Sequence, residues 1–265
     1  MFHSAEAHFV NGITLNVKNL AALRPFYEDV IGFQVVTASI NCVQYDVGLS
    51  HHILTLQEIS SGREPQLTEA GLFYIGILLP HNSDLANLMV QFSDFDIPMN
   101  GGEQSTSTSL FVEDPEGNML KFYVDYPLED WLYRTHLHSM HIKAMNIPKL
   151  LSYTTEVGWQ GIPKDTKIGN IHLKTTRLSE VEQYYKAYFG LKKSAQLDKM
   201  SLFLASQYYH HHIALNHWIS RVKRVDNEHT YGLALIDFYY PETTHLWLKG
   251  PDGLQFRFNF IKVES

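Results

Sequence analysis

"GITLNVKNLAALRPFYEDVIGFQVV", Gly12 to Val36, returns later in the chain as "NIHLKTTRLSEVEQYYKAYFGLKKS", Asn170 to Ser194. The two stretches run in register: Leu15 matches Leu173, Leu20 matches Leu178, Phe26-Tyr27 match Tyr184-Tyr185, and Gly32 matches Gly190. Each reads as a short alternating strand, then an amphipathic helix, then a glycine suited to a helix C-cap. An internal repeat fixes architecture before any motif does.

Working outward, a histidine strand follows each copy, "SHHILTL" (Ser50 to Leu56) and "HHHIALN" (His210 to Asn216). A second block then begins, "GLFYIGILLP" (Gly71 to Pro80) against "GLALIDFYYP" (Gly232 to Pro241), and closes in "EDPEGNMLKFY" (Glu113 to Tyr123) against "KGPDGLQFRFN" (Lys249 to Asn259). Pro-Glu-Gly-Asn and Pro-Asp-Gly read as tight turns between two final strands. Each half therefore contains two βαβββ-like units. The class is α+β, with an N-terminal module over residues 1–126, a connector over 127–169 and a C-terminal module over 170–265. Trp131, Leu150-Leu151 and Trp159 give the connector enough apolar weight to be ordered.

The last unit is short. Gly71 to Lys121 spans 50 positions and Gly232 to Arg257 only 25. The missing piece corresponds to Asp84–Thr108, whose apolar spacing predicts a helix and a strand entry. Without it, Ala234, Ile236, Phe238, Phe256, Phe258 and Phe260 alternate onto a face that no helix of their own unit covers. A patch of that size is rarely left bare; the candidates to cover it are the connector, with its apolar "IPKLLSY" and "EVGWQG" stretches, and a second copy of the chain, and a homodimer through this face is the expectation.

Composition narrows the function classes. The 265 residues carry a net charge of −7 without a Lys/Arg cluster, which argues against nucleic acid and anionic membrane surfaces. "GLFYIGILLP" is too short for a bilayer crossing of about 20 residues. The N-terminal "MFHSAEAHFV" lacks a basic segment and an apolar core, so no secretion signal is expected. Cys42 is the only cysteine, which suits a reducing cytosol. A cytoplasmic protein acting on a small molecule is the expectation. In "SQYYHHHIALNHW" (Ser206 to Trp218) the triplet reads as strand, with His210 and His212 on one face and His211 on the other. Neighbours on a strand cannot chelate one ion, so the run alone does not specify a metal.

The order of "LNVKNL…FYEDVIGF", "DPEGN", "IPKDTKIGNIHLK" and "YYHHHIALN" resembles the vicinal oxygen chelate superfamily (glyoxalase, bleomycin-resistance and extradiol dioxygenase proteins), nearest its two-module catechol-2,3-dioxygenase-like members. The resemblance covers nearly the whole chain. It implies four βαβββ units paired into two cupped mixed sheets, each able to hold a divalent metal through two histidines and a glutamate. The implied ligand positions fall on Gly12, Tyr74 and Lys121 in the first module, and on Asn170, Leu235 and Arg257 in the second. None is a histidine or a carboxylate. Strand alternation places them independently: Ile171 and Leu173 pack inward and turn Asn170 and His172 to the cup, while Phe256 and Phe258 leave Arg257 there. A divalent ion about 5 Å from a guanidinium would cost roughly 7 kcal/mol at an effective dielectric of ~20.

These substitutions favour a degenerate site without a metal cofactor, binding a small aromatic or anionic molecule. Tyr74, Lys121, Tyr123, Asn170 and Arg257 are the candidate contacts, with the complete first module holding the better-formed cup. The alternative is a metal-dependent extradiol dioxygenase or glyoxalase-type enzyme in which Fe, Mn or Zn is held by displaced ligands, His172 and Asp237 foremost. His211 matches the family's acid/base histidine and is the catalytic candidate. A homologue that has lost its pocket altogether is a third reading.

Overall fold

The alternating segment of the first unit forms β1 (Phe9–Val17), followed by α1 (Leu20–Pro25), β2 (Gln34–Ala38), β3 (Cys42–Asp46) and β4 (Ile53–Glu58). Asn19 caps α1 by accepting a hydrogen bond from the Ala22 backbone, and Pro25 ends its regular turns, so the segment continues as a π-helical stretch over Phe26–Ile31. Gly32 closes it at φ 84°, the left-handed geometry for which glycine is favoured.

The second unit is β5 (Gly71–Leu78), α2 (Asn82–Asp94), β6 (Met99–Glu103), β7 (Ser107–Glu113) and β8 (Met119–Asp125). The connector contributes α3 (Leu128–Tyr133), β9 (Lys143–Ala144) and α4 (Ile147–Leu151). The third unit is β10 (Lys167–Lys174), α5 (Leu178–Tyr188), β11 (Lys192–Leu197), β12 (Ser201–Ala205) and β13 (Ile213–Asn216). The fourth has only strands, β14 (Gly232–Tyr239), β15 (Leu246–Lys249) and β16 (Gln255–Phe258), with no helix after β14. This is a computed structural model that describes residues 2–49, 51–133, 142–197 and 199–263. Part of the expected connector, 134–141, and Ser50 of the first histidine stretch lie outside the described residues.

Two mixed sheets result. One has seven strands in the order β15-β16-β14-β1-β4-β3-β2, and the other nine in the order β11-β12-β13-β10-β5-β8-β7-β6-β9. The architecture is α+β and built from four repeated units, but the sheets cross the expected modules. β1 pairs antiparallel with β14, joining the first unit to the fourth, and β10 pairs antiparallel with β5, joining the third to the second. Residues 1–126 and 170–265 remain the two repeats of the sequence, and each sheet takes one unit from either repeat. One hydrophobic cluster runs through both, including Ile13, Leu15, Ile75, Ile171, Leu173 and Ile236.

That pairing corrects the reason given for a dimer. Ile236, Phe238, Phe256 and Phe258 are fully buried inside the chain. The ring of Phe189, at the end of α5, stands 4.9 Å from the rings of Phe238, Phe256 and Phe258. The helix of the third unit thus roofs the strands of the fourth, and only Phe260 of the expected patch is exposed. A partner copy is not needed to cover the face.

A second correction concerns the histidine triplet. β13 begins at Ile213, after all three histidines. Gln207 and Tyr208 adopt left-handed φ values of 50° and 61°, so the chain turns sharply before them. The His210 and His211 rings consequently lie beside each other, centroids 4.4 Å apart, instead of on opposite faces. Among the described residues no helix is long and apolar enough to cross a membrane.

Candidate functional site

β10, β5, β8 and β7 lie side by side in the nine-stranded sheet. Asn170 stands opposite Gly76 and His172 opposite Tyr74, while Gly76 and Phe111 flank Lys121 and Ser109 lies opposite Tyr123. Paired residues point to the same side of a sheet, so four of the five expected contacts, Tyr74, Lys121, Tyr123 and Asn170, share one face with His172. Arg257 is elsewhere, on the seven-stranded sheet.

Lys121 is fully buried and donates to Gln104 Oε1 at 2.7 Å. Its ammonium lies 4.7 Å from the centre of the Tyr123 ring, 5.6 Å from that of Tyr74 and 6.0 Å from that of Phe111. Rings at this range offer a cation their negative faces but do not replace a counter-ion. Burial pushes Lys121 down to about 8, with Asp125 acting weakly the other way. Burial, with the nearby Lys121 charge, also drives His172 down to about 3, so it is neutral at physiological pH. His172 Nε2 meets Asn216 Nδ2 at 3.1 Å, and its ring sits between Phe73 and Tyr74 at 4.8 and 4.9 Å.

Below Lys121 two hydrogen-bond chains converge. Asn170 Nδ2 donates to Tyr123 Oη at 2.9 Å, the Tyr123 and Tyr209 hydroxyls meet at 2.9 Å, and Tyr209 donates to Asp125 Oδ2 at 2.8 Å. His210 Nε2 lies 2.8 Å from Asp125 Oδ1, and His210 Nδ1 lies 2.7 Å from His211 Nδ1. His211, the expected acid/base residue, is buried and far below its ordinary range through desolvation, then the charges of His210, Lys121, His172 and His212. His172 Nδ1, His211 Nε2, Asn170 Oδ1, Ser107 Oγ, Ser109 Oγ and Ser201 Oγ are buried without a partner in the protein. Buried polar atoms are satisfied in the great majority of cases, so a face with six orphans is one prepared for polar company.

Sequence reasoning missed Gln104 and the roles of Asp125 and His210. Asp125 was within reach, since the alternation that places Lys121 and Tyr123 on the face continues to it. Gln104 carries no local signal.

The seven-stranded sheet offers a different picture. Asp237 lies between Gly12 and Arg257 on adjacent strands. Arg257 Nη2 donates to Asp237 Oδ2 at 2.8 Å, and the Trp247 and Phe260 rings stand 5.7 and 5.1 Å from its guanidinium carbon. A Cβ on Gly12 would run into Asp237 and Ile261, so no side chain fits at that ligand position. His172 and Asp237, the displaced-ligand pair, are on separate sheets, and Asp237 is already engaged. Among the described residues no three His, Cys, Asp or Glu side chains come together as a metal would require. Lys121 and Arg257 are cations at the two positions where the resemblance implies a carboxylate, a donor set that does not fit a divalent centre there.

No family profile matches the chain. It is 31% identical over 210 residues to the catechol-2,3-dioxygenase of Bacillus subtilis strain 168, spanning 78% of this chain and 74% of the relative. It is also 31% identical over 122 residues to biphenyl-2,3-diol 1,2-dioxygenase 3 of Rhodococcus globerulus, spanning 45% of this chain and 62% of that protein. A Bacillus subtilis structure described as a candidate dioxygenase superposes with a TM-score of 0.64 at 12% identity, over 94% of this chain and 84% of that one. The CppA protein of Streptococcus pneumoniae does so with 0.57 at 13% identity, over 94% and 98%. At such identities the structural likeness speaks for the fold alone, and the Bacillus sequence relative carries the family. The chain belongs to the vicinal oxygen chelate superfamily, among its two-module catechol-2,3-dioxygenase-like proteins.

Proposed function

We propose that this chain binds a small anionic or polar aromatic molecule on the Lys121 face of the nine-stranded sheet, without a ring-cleaving metal centre. The observation that carries the reading is Lys121: fully buried, hydrogen-bonded among the described residues to the neutral Gln104 amide, and set where the family's glutamate is implied. A buried ammonium without a carboxylate against it favours an anion strongly. Tyr74, Phe111 and Tyr123 would supply the aromatic walls, and the orphaned atoms of His172, Asn170 and Ser109 the polar contacts. A cytosolic location belongs to the same reading, consistent with a single cysteine that is not paired within the chain.

The test is metal analysis and ligand screening of untagged, purified protein. The expected result is well under one equivalent of iron, manganese or zinc per chain, no yellow ring-opened product from catechol, and calorimetric binding of an aromatic acid that Lys121→Glu abolishes. The second reading, a metal-dependent extradiol dioxygenase, is favoured by the likeness to the Bacillus enzyme. One equivalent of metal, removed by chelation with loss of catechol cleavage, would establish it and overturn the first.

A further inference from the structure

The two sheets meet at one end of the molecule in a cleft of about 190 Å³. Lys174, the last residue of β10, and its partner Gly71, the first of β5, bring the nine-stranded sheet to its wall. Gly232 and Leu233 of β14 bring the seven-stranded sheet, and the loop residues Arg224 and Asn118 close it. A Cβ on Gly71 would stop 3.9 Å from Arg224 Nη1, and one on Gly232 3.8 Å from Asn118 Oδ1, so the space between the walls is open. Its volume is below the roughly 300–1,000 Å³ of sites for drug-sized molecules, which suits an ion or a very small acid. Gly71 lies five residues along β5 from Gly76, the partner of Lys121, roughly 17 Å at the rise of a strand, so the cleft is separate from the Lys121 face.

The charges around the cleft do not balance. Glu69 is buried and gives both oxygens to Arg63, at 2.8 Å each, with the Gln66 backbone N–H on Oε2. Glu116 accepts from the backbone N–H groups of Lys18 and Asn19, and Glu64 pairs with Lys18 Nζ. All three carboxylates are thereby engaged. Arg224 is buried; its Nη2 donates to the Tyr231 and Leu233 carbonyls, Nη1 stands 3.8 Å from Glu69 Oε1, and Nε is without a partner in the protein. Lys174 makes no hydrogen bond or ion pair among the described residues, and burial, then the Arg224 charge, holds its ammonium below the ordinary lysine range against the pull of Glu69. Four cations, Lys18, Arg63, Lys174 and Arg224, thus face three carboxylates, and Lys174 is the one left over.

We infer that this cleft binds a small oxyanion between Lys174 and Arg224, with inorganic phosphate favoured over a short carboxylate. Lys174 supplies a mobile point charge and Arg224 Nη1 a planar donor, and charge-assisted N–H···O bonds to an anion are the strong ones. Asn118 decides between the two sources. Its Nδ2 donates to Asp114 Oδ2 at 2.9 Å, which leaves Oδ1, the atom beside Gly232, as an acceptor toward the cleft. Monohydrogen phosphate carries an O–H that can donate there; acetate does not. Because its walls come from both sheets, an anion held in the cleft stabilises the folded chain by mass action.

Calorimetric titration with inorganic phosphate, and separately with acetate, tests this, with sodium chloride holding the ionic strength constant. Wild type should take up one phosphate per chain in the millimolar range or tighter. Lys174→Met, and Lys174→Gln as a second variant without the charge, should weaken that binding about tenfold, whereas Lys174→Arg should keep it within about threefold. Thermal melts give an independent readout: phosphate should raise the midpoint of wild type and of Lys174→Arg above the chloride control, and leave Lys174→Met unmoved. Acetate bound more tightly than phosphate would give the cleft to carboxylates and remove the part assigned to Asn118. No saturable binding of either anion, or phosphate binding unchanged by loss of the Lys174 charge, overturns the site. The Lys174 variants should bind an aromatic acid on the Lys121 face as wild type does, so this inference and that reading can fail separately.

Discussion

Arg257 on β16 holds Asp237, its partner on the adjacent β14, through two hydrogen bonds, Nε to Oδ1 at 2.5 Å and Nη2 to Oδ2 at 2.8 Å. Burial alone raises the Asp237 carboxyl, and the guanidinium opposes that shift. Each residue makes the other tolerable inside the sheet. Asp237→Asn should therefore cost roughly 3 kcal/mol, the lower end for breaking a buried pair because Arg257 keeps some contact with water. Replacing both by methionine should cost less than the single change. Urea unfolding of the three variants measures this, and a double variant worse than Asp237→Asn contradicts it.

Lys121 is held at a cost. A pKa pushed from 10.5 to about 8 corresponds to roughly 3 kcal/mol of unfavourable burial near neutral pH. Lys121→Met should raise the unfolding free energy by about 2 kcal/mol, after loss of the Gln104 hydrogen bond, and should abolish binding of anionic ligands. Chemical denaturation and calorimetry on the same preparation test both halves.

Five buried histidines make the protein acid-sensitive. His3 is lowered to about 4 and His172 to about 3, and His52, His211 and His212 lie well below the ordinary range, all chiefly by desolvation. They are neutral when folded and take up protons near pH 6.5 when unfolded. Stability is thus fully present above that pH and falls as the solution is acidified, by about 1.4 kcal/mol per pH unit for each group below pH 6.5. Asp252, raised to about 6, acts in the opposite sense, as do the raised carboxyls of Asp46 and Asp237, but these are fewer than the five histidines. The unfolding midpoint in urea should drop steeply between pH 6.5 and 5; a flat profile would contradict the assignment of these rings as neutral and buried.

Phe189 closes the helix-less fourth unit from within the chain. Phe189→Ala should cost about 3–5 kcal/mol by opening a cavity over Phe238, Phe256 and Phe258. Phe258→Asp should prevent folding, not split a dimer. Denaturation and sedimentation of both variants decide this, and a folded Phe258→Asp variant of altered mass would restore the intermolecular roof.

Much of the fold could be read from the sequence because alternation and the glycine-capped helix are local signals. They placed β1 against β10 in the repeat, put Asn170 and His172 on one face with Ile171 and Leu173 on the other, and located all but the first two residues of α2 within Asp84–Thr108. Alternation says which face a residue takes, not which strand lies beside it. The partnership of β1 with β14 was therefore illegible, and with it the roofing of β16 by α5 and the separation of Arg257 from Lys121. The histidine triplet misled for a related reason: apolar neighbours suggested strand, while the turn at Gln207-Tyr208 brought His210 and His211 side by side. At the site, Tyr74, Lys121, Tyr123 and Asn170 converge as alternation implies, whereas Gln104 and the link from Asp125 to His211 depend on contacts that only the folded chain creates.

The nested pairing also sets an order of assembly. The main strands of the nine-stranded sheet, β5 to β13, come from one continuous stretch, Gly71 to Asn216, whereas the seven-stranded sheet brackets it with both ends of the chain. As the polypeptide leaves the ribosome, the inner sheet has all these strands long before β1 can meet β14, its neighbour from nearly the far terminus. Contacts so distant along the chain form slowly, and until they do the apolar edge of β1, with Ile13 and Leu15, has no partner on that side. Loss of β14–β16, by truncation or a stalled ribosome, would leave that edge open to pairing with other chains.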